Sequence, residues 1–151
     1  MKKYYLAGPM TGYPQFNFPA FDSAAAHLRE HGYTIVSPAE LDRPEVREAS
    51  LASPDGNADR GHPVGDSWGD FLSRDVKLVA DEVNGIVALP GWQESRGARL
   101  EMFVAMLCGH EINEYAPRSK SLMRPLTYEY VAPILIKEFM TIRLEELRQP
   151  A

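Results

Sequence analysis

The stretch Asn84–Cys108, NGIVALPGWQESRGARLEMFVAMLC, constrains this chain more than any other. Ile86, Val87, Ala88 and Leu89 read as a short buried strand, Pro90-Gly91 as a turn, and the segment opening at Ser95 as a helix. Strand, turn and helix in immediate succession point to an architecture that alternates the two element types. The helix carries an apolar stripe at Leu100, Phe103, Val104 and Leu107, which is expected to face the core. At about 100° per residue, Glu101 falls at the edge of that stripe, beside Gly97, Val104 and Cys108. A carboxylate there stands near the carboxyl edge of the sheet, where small neighbours leave room for a ligand. Glu101 is therefore the candidate catalytic nucleophile.

The preceding chain fits the same scheme. Lys3–Ala7 is a first strand that runs into Gly8-Pro9-Met10-Thr11-Gly12, the glycine-containing turn expected of a first ligand loop in an open α/β sheet. Its spacing matches neither the dinucleotide fingerprint nor the lysine-bearing phosphate loop. A helix is expected over Asn17–His31, with Asn17 as N-cap, Pro19 in the first turn, and Phe18, Phe21, Ala25 and Leu28 on the buried face. Gly32 ends it, and Tyr33–Val36 is a second strand, reached by a right-handed parallel crossover. His27 and His31 share a helix face, but no further ligands are placed near them, so they are read as solvated rather than metal-binding.

Periodicity is lost from Ser37 to Ser67, where Pro, Gly, Asp, Ser and Ala dominate. Long structureless stretches are uncommon inside a domain, and this one is read either as a lid over the sheet's carboxyl edge or as a plain surface excursion, with the lid assigned to 37–66. Asp55–Asp59 imitates the start of a calcium loop, but the glycine is misplaced and Asp66 replaces the terminal glutamate. Ser67–Asp81 is a helix with Trp68, Phe71, Leu72, Leu78 and Val79 on one face and Asp75 midway along it. A buried carboxylate is costly unless it is paired or faces a wet cavity, so Asp75 is read as a site residue, with ion pairing as the plainer role. Asp70 and Asp81 fall off the stripe and are expected at the surface. His110–Tyr115 is a further strand, Ala116–Pro125 a basic loop, and Ile134–Leu147 a final helix led by Pro133.

Length and charge bound the function. A chain of 151 residues suits one domain, and a net charge of −5 disfavours nucleic acid while leaving room for a small anion at a helix N-terminus. The single cysteine, Cys108, precludes an internal disulfide and is expected in the core. Gly8-Pro9 cuts short the apolar run after Lys2 and Lys3, so no signal peptide is read. No segment approaches the ~20 apolar residues of a membrane span, and a cytoplasmic location is the expectation.

Three segments together, YLAGPMTG, the pair Arg74-Asp75, and LPGWQESRGARLE, resemble the nucleoside 2-deoxyribosyltransferase-like superfamily, and within it a group of short phage and bacterial proteins. The resemblance covers Lys3–Tyr115 and leaves 116–151 as a C-terminal extension. It implies a single domain with an open, flavodoxin- or Rossmann-like parallel sheet of about five strands flanked by helices. It also implies cleavage of an N-glycosidic bond in a deoxyribonucleoside or its 5′-monophosphate, without metal or cofactor. The glutamate matching Glu101 would attack the anomeric carbon and form a glycosyl ester, and the aspartate matching Asp75 would assist proton transfer to the base. Tyr5 matches a family tyrosine near the sugar, though a core role for a strand tyrosine is equally in view.

Substrate contacts implied by the same match are Gly8, Pro9 and Met10 on the first loop and Ser95, Arg96 and Gly97 at the helix start. The superfamily's free-nucleoside transferases carry an acidic residue at the place of Ser95, whereas its monophosphate hydrolases carry a serine that contacts phosphate. A hydroxyl beside helix N-terminal N–H groups suits a dianion, which favours a 5′-monophosphate substrate and hydrolysis. Transfer to a second base, cleavage of an NAD-type N-ribosyl compound, and a non-catalytic nucleotide-binding module are the rival readings. The resemblance further implies a homo-oligomer whose sites are completed by a neighbouring subunit.

Overall fold

A computed structural model describes residues 1–57 and 66–137. They form an open five-stranded sheet in the order β2-β1-β3-β4-β5, built from β1 (Lys3–Ala7), β2 (Thr34–Val36), β3 (Gly85–Ala88), β4 (Glu111–Tyr115) and β5 (Met123–Pro125). The first four strands are parallel, with Tyr5 opposite both Val36 and Ile86. The expected open parallel sheet of about five strands is thus present, with one reversed strand at its edge, β5, antiparallel to β4. The cause of the reversal is local: the segment between β4 and β5 is a short turn that reverses the chain, whereas a parallel connection needs a longer crossover. Among the described residues, five α-helices flank the sheet: α1 (Phe18–Glu30), α2 (Pro44–Ala52), α3 (Trp68–Asp81), α4 (Arg96–Leu107) and α5 (Tyr128–Leu135).

Strand alternation divides the core in two. Tyr4 and Leu6 of β1 and Val87 of β3 point to the side of α1, where Phe18, Phe21 and Leu28 cover them. Tyr5 and Ala7, with Ile86 and Ala88, point to the other side, against Val79 of α3, Met102 of α4 and Val131 of α5. Tyr5 thus reaches the helix that carries Glu101 because it occupies an odd position on the central strand.

The buried face of α4 differs from the expected stripe. Ala98, Glu101, Met102 and Ala105 are buried, while Phe103 is 44% and Leu107 72% exposed and Leu100 lies at the surface. Both sets follow the spacing i, i+3, i+4, i+7, offset by two residues or about 200°. The set with small side chains faces inward, since alanines let the helix approach the sheet closely. Glu101 therefore sits within the buried face, not at its edge.

Other expectations are also revised. Cys108 is exposed at the C-terminus of α4. The 37–66 segment is not structureless, for α2 and a 3-10 turn at Pro38–Glu40 lie inside it. Pro44 at the first position of α2 and Glu45 in its first turn are ordinary helix-start residues. The last described helix begins at Tyr128, capped by the Thr127 side chain, with Pro133 inside it and not leading it. Most of the expected Ile134–Leu147 helix, and Ala58-Asp59 of the calcium-like run, lie outside the described residues. Among the described residues, no helix is long and apolar enough to cross a membrane, and no group of three or more metal-ligating side chains is assembled.

Candidate active site

The strand order 2-1-3-4-5 contains one point where the winding reverses, between β1 and β3. In doubly wound sheets the crevice beyond the carboxyl ends of those two strands is where ligands bind. A cavity of about 210 Å³ lies there. Its floor includes Gly8, Pro9 and Met10, which follow β1, and its walls include Asp75, Gly97 and Glu101 from α3 and α4.

The first loop is held tightly. A Cβ on Gly8 would come within 2.9 Å of Leu89 Cβ and 3.3 Å of Phe21 Cζ, so only glycine lets the ends of β1 and β3 approach this closely. Asn17 occupies the N-cap position of α1, as expected, with a φ of +62°, but its side chain makes no capping bond and donates from Nδ2 to the Pro9 carbonyl at 2.9 Å. Gln15 and Phe16 are also left-handed, at φ +55° and +50°, a run that L-residues adopt only at a cost. That turn carries the Phe16 side chain into the cavity wall. Two backbone bonds, Gly12 N–H to Gly56 O at 2.9 Å and Gln15 N–H to Ser53 O at 2.8 Å, tie the loop to the segment after α2. With Pro38, Asp42 and Ser50 in the lining, the described part of the 37–66 segment is a wall of the cavity.

Glu101 is 7% exposed, and its Oε1 accepts a hydrogen bond of 3.0 Å from the Tyr5 hydroxyl. Tyr5 is fully buried behind it, a core residue whose hydroxyl also contacts the glutamate. Burial pushes the Glu101 carboxyl well above the usual range, and the nearby Asp75 carboxylate adds to this; the Tyr5 hydrogen bond and the Arg74 charge oppose it. Asp75, 8% exposed, is also raised, first by burial, against the pull of Arg74 and of the Tyr5 hydroxyl. Tyr5 itself is held protonated by burial and by the two carboxylates. Two carboxyls and a phenol thus stand close enough to influence one another's titration, and burial favours the protonated form of each.

Arg74 completes the set. Its Nε donates to Asp75 Oδ1 at 2.8 Å and its Nη1 to Asp42 Oδ1 at 2.6 Å. The arginine partner of Asp75 is therefore its own neighbour on α3. Arg74 joins α3 to the turn before α2, and its guanidinium lies 5.6 Å from the Phe71 ring centroid. Asp42 escaped the sequence analysis because it stands alone in a stretch without periodicity; only its place in space gives it meaning.

The start of α4 forms the other end. The Ser95 side chain caps the helix by accepting from Ala98 N–H at 3.2 Å, and Ser95, Gly97 and Ala98 all line the cavity. Backbone donors at such a terminus attract anions. Arg96 is placed elsewhere: it is exposed, and its guanidinium lies 5.9 Å from the ring centroid of Trp68, itself 59% exposed. Arg99, the other basic residue of this turn, is buried and does not line the cavity. Of the expected site residues, the structure gathers Gly8, Pro9, Met10, Asp75, Ser95, Gly97 and Glu101 around the cavity, sets Tyr5 directly behind Glu101, and leaves Arg96 outside the lining. Asp70 is exposed, as expected, and belongs to the capping box of α3 with Ser67. His27, read as solvated, is half-buried, with Nδ1 2.8 Å from the Tyr115 hydroxyl.

No curated protein and no solved structure matches the chain. One family model does, over residues 2–114, a span that contains every cavity residue named above. The chain belongs to the family described as a domain of unknown function, DUF4406.

Proposed function

We propose that the protein hydrolyses the base–sugar bond of a deoxyribonucleoside 5′-monophosphate through a covalent ester on Glu101. The observation that carries this reading is the buried Glu101 carboxyl, hydrogen-bonded by Tyr5 and coupled to Asp75, at the foot of a cavity that ends at a helix N-terminus. Retaining cleavage of a glycosidic bond needs a carboxylate nucleophile and a second carboxyl that gives and later takes a proton. Glu101 and Asp75 supply the pair. Ser95 and the N–H groups of the first turn of α4 supply a phosphate seat about 9 Å along the helix from Glu101, from six residues at ~1.5 Å each.

Burial favours a proton on Glu101 in the resting site, and that proton has a use. As the C1′–N bond breaks, positive charge grows on the sugar beside Glu101 and negative charge on the departing base beside Asp75. Both changes draw the proton from Glu101 towards Asp75, with the Tyr5 hydroxyl in contact with each. Asp75 then protonates the base, and a Glu101 oxygen bonds to C1′. In the second half, Asp75 removes a proton from water, the water oxygen attacks C1′, and Glu101 is released with 2-deoxyribose 5-phosphate. Attack by a second base in place of water gives transfer from the same intermediate.

Incubation with a panel of deoxynucleosides, their 5′-monophosphates and NAD, followed by chromatography of free base, tests the proposal. Release from monophosphates in preference to nucleosides is expected. Release from NAD alone would move the assignment to N-ribosyl cleavage, and release from none would leave a binding module.

A further inference from the structure

We propose that the Asp42–Arg74 pair reads the base at purine C6 or pyrimidine C4, and that it selects bases with an amine there beside an acceptor ring nitrogen, as adenine and cytosine have, over those with a carbonyl there, as guanine and thymine have. The inference rests on the functional reading above for the direction in which the substrate lies. With the phosphate at the start of α4 and the sugar over Glu101, the base must extend past Asp75, and the next polar groups lining the cavity there are Arg74 and Asp42. Phe16, Phe71 and Leu72 supply apolar walls on which a planar ring can lie.

The pair is built to present one acceptor and one donor. Arg74 uses Nε on Asp75 Oδ1 and Nη1 on Asp42 Oδ1, which leaves Nη2 and Asp42 Oδ2 outside those two bonds. Clamping by two carboxylates fixes the guanidinium plane, and the Asp42 side chain, only 8% exposed, has little freedom to turn away. A carboxylate oxygen next to a guanidinium N–H complements an amine N–H next to a ring nitrogen. Adenine offers N6–H with N7 or N1, and cytosine offers N4–H with N3, whereas guanine and thymine turn carbonyl oxygens to the corresponding positions. A carbonyl facing Asp42 would place two acceptors together with no proton between them, and a mismatch of that kind costs affinity.

The test compares the 5′-monophosphates of deoxyadenosine, deoxycytidine, deoxyguanosine and thymidine in two measurements. One is base release by the wild-type protein and by Asp42→Asn; the other is nucleotide binding by calorimetry with a Glu101→Gln protein, alone and combined with Asp42→Asn. The expected result is a preference of about tenfold or more for the adenine and cytosine nucleotides in both measurements. Asp42→Asn should shrink that preference at least several-fold, because an amide can turn either its oxygen or its N–H₂ to the base. Equal treatment of the four nucleotides by the wild-type protein, a preference for the carbonyl pair, or a preference untouched by Asp42→Asn would each overturn the inference, as would failure to bind any of the four. Selective binding without base release would leave base reading standing and remove the hydrolytic reading; base release without selectivity would do the reverse.

Discussion

The Tyr5 hydroxyl donates to Glu101 Oε1 at 3.0 Å, joining the central strand to the fourth helix across 96 residues of sequence. Tyr5 has no solvent exposure, so the bond is made in a medium where it has few competitors. It favours the ionised form of Glu101, the form a nucleophile needs. Tyr5→Phe should leave the fold intact and lower kcat by roughly 10- to 100-fold, the worth of one hydrogen bond to a charged group at about 1.5–3 kcal/mol. The acid limb of the pH–rate profile should move upward in the same variant, since a force that lowers the Glu101 pKa has been removed. Steady-state kinetics over a pH series checks both.

Stability and function should conflict at Glu101. Burial raises its folded pKa above the unfolded value, so its contribution to stability is complete below the unfolded pKa and is lost as pH rises through the folded one. Glu101→Gln has no proton to lose. Its melting temperature should match that of the wild type near pH 4 and exceed it near pH 8, while base release is abolished. Calorimetric melting at the two pH values is the measurement, and a variant less stable than the wild type at the higher pH would contradict the account.

Arg74 holds two carboxylates by two different nitrogens, Nε to Asp75 and Nη1 to Asp42. Its loss strands both acids. Arg74→Met should destabilise the protein by about 2–3 kcal/mol, below the full cost for a wholly buried pair because its side chain is 30% exposed. Arg74→Lys should recover less than half of this, as an ammonium does not reproduce a planar fork. Chemical denaturation of the three proteins decides the order.

The two faces of α4 should respond oppositely to substitution. Met102 is wholly buried against the sheet, and Met102→Ala should cost about 2–4 kcal/mol. Phe103→Ser and Leu107→Ser, on the exposed side, should each change stability by no more than about 0.5 kcal/mol. Equal losses on both faces would contradict the orientation of the helix.

That helix also shows why the sequence was legible in part. Strand β3, the glycine turn after β1 and the positions of α1, α3 and α4 follow from patterns a few residues long, and the structure reproduces them. The facing of α4 does not, because two sets of residues satisfy the same helical spacing and the larger side chains mark the wrong one. Glu101 and Asp75 were conspicuous as carboxylates among apolar neighbours; Tyr5 looked like any strand residue until its odd position on β1 turned it towards α4. Asp42 gave no signal, since its role depends on a contact with Arg74 between elements distant in the chain. The antiparallel β5 was hidden in a stretch read as a basic loop, being too short to show alternation.

A close approach at the switch point gives a further check. Gly8→Ala would force its Cβ against Leu89 and Phe21, and should cost about 1–3 kcal/mol by spreading the ends of β1 and β3. Because Gly8 also lines the cavity, base release should fall more steeply than stability, as measured by activity and melting on the same preparation.

The central claim is a covalent bond between Glu101 and the sugar. Acid quenching of the wild-type protein during turnover of a deoxyribonucleoside 5′-monophosphate, followed by peptide mass spectrometry, tests it most directly. The account predicts a deoxyribosyl phosphate ester on the peptide that contains Glu101, absent in Glu101→Gln. Base release without such an adduct, undiminished in Glu101→Gln, would contradict it.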